Sequence, residues 1–218
     1  ENINKSDCSG ILLLGTEMTL EDFDCFSSVN KPIIILDTYF NELNYDFVKI
    51  NNVRGMYSAV EYLISKGFRN IGYLRSSYEI SNFTERFDGY CKAMNKHAIP
   101  IKAEYIHKLT PTADGAYSDM KKITELDTEF ADAYVADNDL IASGSIRAFK
   151  EAGIKIPEDI SVIGFDNMPL CDILEPPLST IDVPKQKLGI IAVYQLVKRI
   201  KNHDDIFATT EISPTLYT

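Results

Sequence analysis

Short apolar runs alternate with longer segments of helical periodicity almost from one end of the chain to the other. Parallel strands joined by crossover helices are typical of this pattern, because helices cover both faces of a parallel sheet and its strands are then apolar throughout. The alternation therefore predicts an α/β fold with parallel sheets flanked by helices. Eight strands are expected, at Gly10–Leu14, Pro32–Leu36, Phe47–Ile50, Asn70–Leu74, Tyr105–Leu109, Ala133–Ala136, Ser161–Phe165 and Leu178–Asp182.

Helical segments fill the longer intervals. The clearest begins at Asn52, a residue type favoured at helix N-caps, and runs to Lys66, with Gly67 marking its end. Other crossover helices are expected at roughly Thr84–Lys96, Ala113–Leu126, Asn138–Ala152 and Lys185–Lys201.

The chain contains no low-complexity or proline-rich linker, so two lobes would have to be joined by thin crossovers. The best candidates lie near Arg75–Ser81 and Pro176–Lys185, because each follows a strand and carries turn-forming residues. We therefore expect a C-terminal lobe over residues 78–182. Residues 1–77 plus 183–218 are expected to have a mixed composition, with most of them in a partial N-terminal lobe and the rest in the closing crossover segments.

Charge and cysteine content narrow the class of protein. The formal net charge is -10 across 218 residues, which repels a phosphate backbone, so this segment is not expected to bind DNA itself. No apolar stretch is long enough for a membrane span, and the first residues lack a signal-peptide profile. The four cysteines lie far apart and are interpreted as buried apolar residues, so we expect a reducing, cytoplasmic location.

Polar residues directly follow the predicted strands, where ligands bind in open α/β sheets. They are Asp37, Arg75-Ser76-Ser77, Thr110, Asp137-Asn138-Asp139 and Asp166-Asn167. Carboxylates, carboxamides and a guanidinium together suit a neutral polyhydroxylated ligand such as a sugar. The alternative is that they only cap helices and form turns, since Asp and Asn favour those positions in any case.

Catalytic and cofactor motifs are missing from the sequence. It has no glycine-rich phosphate loop, no Gly-x-Ser-x-Gly nucleophile turn and no His-Glu-x-x-His metal motif. His97, His107 and His203 lie in unrelated places and are interpreted as surface or packing residues. We therefore expect no enzyme activity, no catalytic residue, no metal and no cofactor.

An ordered set of motifs resembles the effector-binding core of the lactose-repressor/purine-repressor family over nearly the whole chain. The most specific is Ile156-Pro-Glu-Asp-Ile-Ser-Val-Ile-Gly-Phe-Asp-Asn167, followed by Pro177-Leu-Ser-Thr-Ile181. The earlier motifs appear in the family's order, at 9–14, 31–37, 62–73, 85–90 and 136–144.

This resemblance implies a periplasmic-binding-protein-like fold of two lobes, with a small effector bound between them. By position, Arg86, Asn138 and Asp166 correspond to ligand-binding residues of the family. Further pocket contacts fall at three other positions, which are Asp37, Asn82 and Thr110.

Two departures from the family pattern matter. Members begin with a further strand-helix-strand-helix portion, so the N-terminal lobe is expected to be incomplete here and to be preceded by an unseen helix-turn-helix domain. In addition, Asp137 stands where a small residue is common, so an extra carboxylate is expected to face the ligand.

The resemblance implies a transcription regulator in which effector binding shifts the population of lobe arrangements and so changes DNA binding by the upstream domain of a homodimer. Interface candidates are Ile173 and Leu174, in a loop that otherwise has little reason to be apolar, and Ser143 on the helix after Asn138. The alternative is that Ile173 and Leu174 pack on their own lobe. A solute-binding protein of a transport system is the main alternative, and an enzyme on the same fold is a distant third.

Overall fold

The computed structural model describes residues 2–126, 129–202 and 206–218. His203 lies outside these residues. The helices are α1 (Asn2–Lys5), α2 (Asn52–Ser65), α3 (Ser81–Lys96), α4 (Ala113–Thr124), α5 (Asp139–Glu151) and α6 (Lys185–Lys201), with short 3-10 turns at Leu20–Phe26, Ala103–Tyr105 and Pro169–Asp172. The strands are β1 (Ile11–Leu14), β2 (Ile33–Leu36), β3 (Asp46–Ile50), β4 (Ile71–Ser76), β5 (Ile106–Leu109), β6 (Ala133–Ala136), β7 (Ser161–Asp166), β8 (Ser179–Asp182), β9 (Thr209–Ile212) and β10 (Thr215–Tyr217).

The described strands form two sheets. One has the order β1-β2-β3-β9 and is parallel throughout. The other has the order β10-β8-β7-β6-β4-β5 and is parallel except for β10, which pairs antiparallel with β8. The predicted α/β class, with parallel sheets flanked by helices, is confirmed.

The chain divides into two compact units, one around each sheet. The first contains the described residues up to Asn51, together with Ile80–Asn82 and Pro184–Ile212. The second contains Asn52–Glu79, Phe83–Val183 and Ser213–Thr218.

This division differs from the one expected from the sequence, which placed residues 1–77 mainly in the N-terminal lobe and residues 78–182 in the C-terminal lobe. Residues 52–79 lie in the second unit because β4 pairs with both β5 and β6. Residues 213–218 also lie there, because β10 adds to the edge of the six-stranded sheet beside β8.

The first unit is built on two strands, β2 and β3, that are buried along their whole length. Phe23 and Phe47 pack with isoleucines of β2 in a small apolar cluster. Helix α6 contacts β1, β2 and β3. Arg199 of α6 forms a 2.6 Å ion pair with the buried Asp46 of β3, which fixes the helix to the sheet.

Among the described residues of the second unit, two apolar clusters each combine strand residues with residues of two helices. Helices α2 and α3 contribute to one cluster, which includes Tyr73, Tyr90 and Ile163. Helices α4 and α5 contribute to the other, which includes Tyr134 and Phe149. Both helix pairs therefore cover the sheet with apolar faces.

Close helix packing depends on two glycines. A Cβ atom at Gly89 would collide with the backbone oxygen of Val53, where α3 crosses α2. A Cβ atom at Gly144 would collide with the backbone oxygen of Ala113, where α5 packs on α4. Each glycine therefore allows two helix backbones to approach more closely than a side chain would permit.

The expectation that all four cysteines are buried is wrong for two of them. Cys171 is buried and Cys91 is half-buried, whereas Cys8 and Cys25 are exposed. Cys8 lies in the polar segment before β1, and Cys25 lies in the 3-10 turn, where Phe23 takes the buried position.

Candidate functional site

Arg86 of α3 lies at the end of the six-stranded sheet where its parallel strands finish, and only 6% of the residue is exposed. Its Nε donates to Oδ1 of Asn52 at 3.0 Å, and its Nη1 donates to the backbone oxygen of Asp137. Its Nη2 donates to Oδ1 of Asp166 at 3.1 Å. The guanidinium carbon lies 3.8 Å from the centre of the Phe165 ring. The guanidinium is therefore held in one orientation by three hydrogen bonds and an aromatic face.

Asp166 is the last residue of β7 and occupies a rare backbone conformation. Its φ is 108°, and that of Asn167 is 49°, so two consecutive non-glycine residues lie at positive φ. The side chain of Asn167 anchors this turn by donating to Oδ1 of Asp182 at 2.9 Å. Such backbone strain is concentrated at functional sites. The Asp166 side chain is 27% exposed and that of Arg86 only 7%, so the carboxylate is the more accessible half of the ion pair.

Asp137 directly follows β6 beside this ion pair, but its carboxylate is completely buried. The Tyr73 hydroxyl and the backbone N–H of Ser76 both donate to it. Burial raises the pKa of Asp137 to about 6, although these hydrogen bonds and the Arg86 charge oppose the shift. This carboxylate points into the protein interior while its backbone oxygen orients Arg86, and its predicted contact with a ligand stays a prediction.

Asn138 and Thr110 occupy capping and turn positions. Oδ1 of Asn138 accepts from the backbone N–H of Ile141 at 2.8 Å, so Asn138 is the N-cap of α5. The backbone N–H and hydroxyl of Thr110 both donate to Oδ2 of Asp119, at 3.0 and 2.8 Å. Neither side chain shares a hydrogen bond with Arg86 among the residues described. Their predicted roles in ligand binding stay predictions.

Asp37 and Asn82 come together in the first unit. Asp37 follows β2 with a φ of 60°, and its Oδ2 accepts from the Asn82 side chain at 3.1 Å and from the Thr16 hydroxyl at 2.7 Å. Asn82 is only 3% exposed. Like Asp166, Asp37 therefore has a positive φ at the end of a strand and accepts hydrogen bonds from neighbouring side chains. The structure thus groups these two predicted residues, and separately groups Arg86 with Asp166 and Asp137.

Sequence reasoning missed several side chains that hold these groups in place. Asn52, which we interpreted as a helix cap, accepts from Arg86, and the ring that stacks on the guanidinium belongs to Phe165. The Tyr73 hydroxyl orients Asp137, and the Thr16 hydroxyl orients Asp37. No spacing signal identifies them, because each lies far along the chain from its partner.

The geometry around Arg86 suits a hydroxylated ligand. A guanidinium offers donors in a fixed plane and the Asp166 carboxylate offers acceptors, so together they can engage neighbouring hydroxyl groups. In the described ranges, no group of three or more His, Cys, Asp or Glu side chains could hold a metal ion. No helix in the same ranges is long and apolar enough to cross a membrane.

The predicted interface residues lie close to a shallow groove of about 440 Å³ in the second unit. Ser143 and Leu174 line it together with Ile146, Arg147 and Glu151. Leu174 is half-buried against its own core, whereas Ile173 beside it is 78% exposed. The interface stays a prediction.

Similar proteins are bacterial transcription regulators. The HTH-type transcriptional repressor PurR of Pasteurella multocida is 31% identical over 99% of this chain and 65% of its own length. The ribose operon repressor of Haemophilus influenzae is 31% identical over 94% of this chain and 61% of its own. The chain thus spans about three fifths of these relatives.

The fold also matches that of a solved regulator. It is the LacI family transcriptional regulator from Enterococcus faecium with bound ribose, which is 25% identical in sequence and has a TM-score of 0.84. The match covers 100% of this chain and 80% of the chain of that regulator. A family model described as a periplasmic binding protein-like domain matches residues 60–218. The resemblance to lactose-repressor/purine-repressor regulators is confirmed, and the chain belongs to the family of periplasmic binding protein-like domains.

Proposed function

We propose that this chain is the effector-binding part of a transcription regulator and that its effector is a small polar molecule, most simply a sugar. The observation that carries the proposal is the pair formed by Arg86 and Asp166, which is prepositioned at the carboxyl edge of the six-stranded sheet. The guanidinium lies flat against Phe165 and needs little reordering to bind a ligand. Two of the similar proteins are associated by name with ribose, which supports a sugar.

Effector binding acts by population shift in this proposal. A ligand that binds one conformation of the protein more tightly than another shifts the equilibrium between them, and the size of the shift equals the difference in binding free energy. In a homodimer, that change alters how two helix-turn-helix domains, supplied outside this chain, fit their DNA half-sites. The regulator would work in the cytoplasm, where its DNA lies.

A solute-binding protein for transport is the alternative, because it would use the same fold and a similar ligand chemistry. The names of the similar proteins support a regulator over a transport protein. The proposal includes no enzymatic role, since nothing in the sequence or around Arg86 and Asp166 suggests a catalytic arrangement.

Thermal-shift measurements on the whole chain test the proposal, with ribose, other pentoses and hexoses, and purine bases as ligands. A ligand that binds only the folded state raises the free energy of unfolding by about 2.7 kcal/mol at a hundredfold excess over its Kd. We expect one chemical class to raise the Tm. Asp166→Asn and Arg86→Lys should remove that shift.

Matched controls come from the opposite edge of the same sheet. Asp132→Asn and Arg69→Lys make the same chemical changes at exposed residues beside the starts of β6 and β4. Both controls should keep the ligand-induced shift. A shift that survives Asp166→Asn and Arg86→Lys, or no shift from any compound, would contradict the proposal.

A further inference from the structure

A cavity of about 450 Å³ opens at the amino edge of the six-stranded sheet, where the parallel strands begin. Ser161 and Ser179, the first residues of β7 and β8, both line it. The cavity is therefore separated from Arg86, which lies where these strands end. Its volume falls within the range of small-molecule sites in proteins.

The walls of this cavity are mainly apolar and belong to well-packed elements. Leu63 of α2 and Ile146 of α5 contribute from the two apolar clusters of the unit. Pro157, Pro176 and Pro177 line the cavity from the loops that precede β7 and β8. Proline fixes its own φ, so these loops have few alternative conformations. The cavity is preformed, and a ligand would bind with little loss of protein conformational entropy.

Four residues with polar side chains also line the cavity, namely Tyr62, Lys66, Ser161 and Ser179. Lys66 is exposed and its Nζ lies 5.1 Å from the centre of the Tyr62 ring. Among the residues that the structure describes, Lys66 forms no ion pair, and the hydroxyls of Tyr62 and Ser179 have no hydrogen-bond partner. Glu158 and Glu175 lie on the neighbouring loops but are exposed and do not line the cavity. The local chemistry is thus an apolar volume with one cation and two unpaired hydroxyl donors, while the third hydroxyl, that of Ser161, donates to the backbone oxygen of Pro157 at 3.4 Å.

We propose that this cavity binds a small amphipathic monocarboxylate. Its apolar body would pack against the walls that include Leu63 and Ile146, and its carboxylate would pair with Lys66 and accept from the free hydroxyls of Tyr62 and Ser179. The inference does not rest on the proposed sugar site at Arg86.

Isothermal titration of the whole chain with naphthalene-2-carboxylate tests this site. We expect one molecule to bind per chain. The neutral naphthalene-2-carboxamide should bind about threefold to fivefold more weakly, because an ion pair at an exposed lysine contributes modestly to affinity. Lys66→Gln should weaken binding of the carboxylate by the same factor and leave binding of the carboxamide unchanged. This result would assign the charge effect to the pair formed by Lys66 and the ligand carboxylate.

Two further variants locate the binding site. Ser161→Phe places a large side chain in the cavity and should abolish binding. If that variant does not fold, Ser179→Leu at the start of β8 fills the cavity from the neighbouring strand and should have the same effect. Lys92→Gln is the matched control, because Lys92 is an exposed lysine of α3 that does not line the cavity. Lys92→Gln and Arg86→Lys should both leave the affinity unchanged.

Three results would show that the cavity does not bind the probe. They are an absence of binding at millimolar probe, binding that persists in a folded cavity-filling variant, and binding that Arg86→Lys removes. The last would place the probe at the carboxyl edge. Equal weakening of the carboxylate and carboxamide by Lys66→Gln would contradict the charge pairing and the ligand class.

Discussion

The two edges of the six-stranded sheet differ in how their charged groups are held. At the carboxyl edge, the Arg86 guanidinium is buried and bonded to Asn52, Asp137 and Asp166. At the amino edge, Lys66 is exposed and stacks over one aromatic ring beside an apolar cavity. Buried charges need complete pairing, whereas an exposed ammonium is solvated. Substitutions at the carboxyl edge should therefore affect folding as well as binding. Substitutions at the amino edge should affect binding alone.

Replacing the buried arginine should produce the largest effect. Arg86→Met leaves Asp166 and Asn52 without their charged partner, so we expect the free energy of unfolding to fall by about 3–5 kcal/mol. Urea denaturation measures it. Arg69→Met at the amino edge is the control and should cost less than about 1 kcal/mol, because Arg69 is exposed and, among the described residues, donates to backbone oxygens alone. Similar losses in both variants would remove the distinction between the edges.

Asp137 should make stability depend on pH in an unusual direction. Its pKa is raised from 3.8 to about 6 in the folded protein. The folded state therefore holds this proton more tightly than the unfolded chain, and stability present below about pH 4 is lost as the pH rises through about 6. The full difference corresponds to about 3 kcal/mol.

The measurement is the free energy of unfolding of the wild type minus that of Asp137→Asn, taken from pH 4 to pH 7. Subtraction removes the titration of other groups. The difference should fall as the pH rises. A flat or rising difference would show that the burial of Asp137 does not control its protonation.

Asp166→Asn should have a smaller effect on stability than on ligand binding. The carboxylate is 27% exposed, and asparagine keeps one oxygen that can accept from Arg86. We expect a loss of about 1 kcal/mol in the free energy of unfolding, the difference between a charged and a neutral hydrogen bond. Chemical denaturation checks this value, and a loss as large as that of Arg86→Met would mean that the ion pair acts as a single structural unit.

The smallest effect is expected at the amino edge. Lys66→Gln removes an exposed charge with one aromatic contact, so the free energy of unfolding should change by no more than about 0.5 kcal/mol. Thermal and urea unfolding provide the measurement. A clear destabilisation would show that the lysine is part of the fold and weaken the contrast between the two edges.

The sequence predicted the main strands well because they are buried apolar runs. All eight predicted strands form, and Asn138 caps α5 as its residue type favours. Strands β9 and β10 were missed, since Thr209–Ile212 and Thr215–Tyr217 are short and partly polar and form by pairing with distant strands. Long-range pairing also explains the misplaced division at residue 77, because local periodicity does not say which sheet a strand joins.

The candidate site was predictable only in part. Arg86 and Asp166 were identified from family motifs and do lie together, 80 residues apart in the chain. The inward orientation of Asp137 was missed, because it depends on Tyr73 and Ser76 from another strand. A sequence motif names the residue but does not give the direction of its side chain.

The discontinuity of the two units bears on how the protein is synthesised. The first sheet needs β9, and its helix α6 begins only at Lys185, so a ribosome has already made nearly all of the second unit before the first can be completed. The second unit in turn waits for β10, which follows β9 in the chain. Both sheets therefore depend on strands that lie within residues 209–217, so a chain cut before Thr209 would contain two unfinished sheets and neither complete unit.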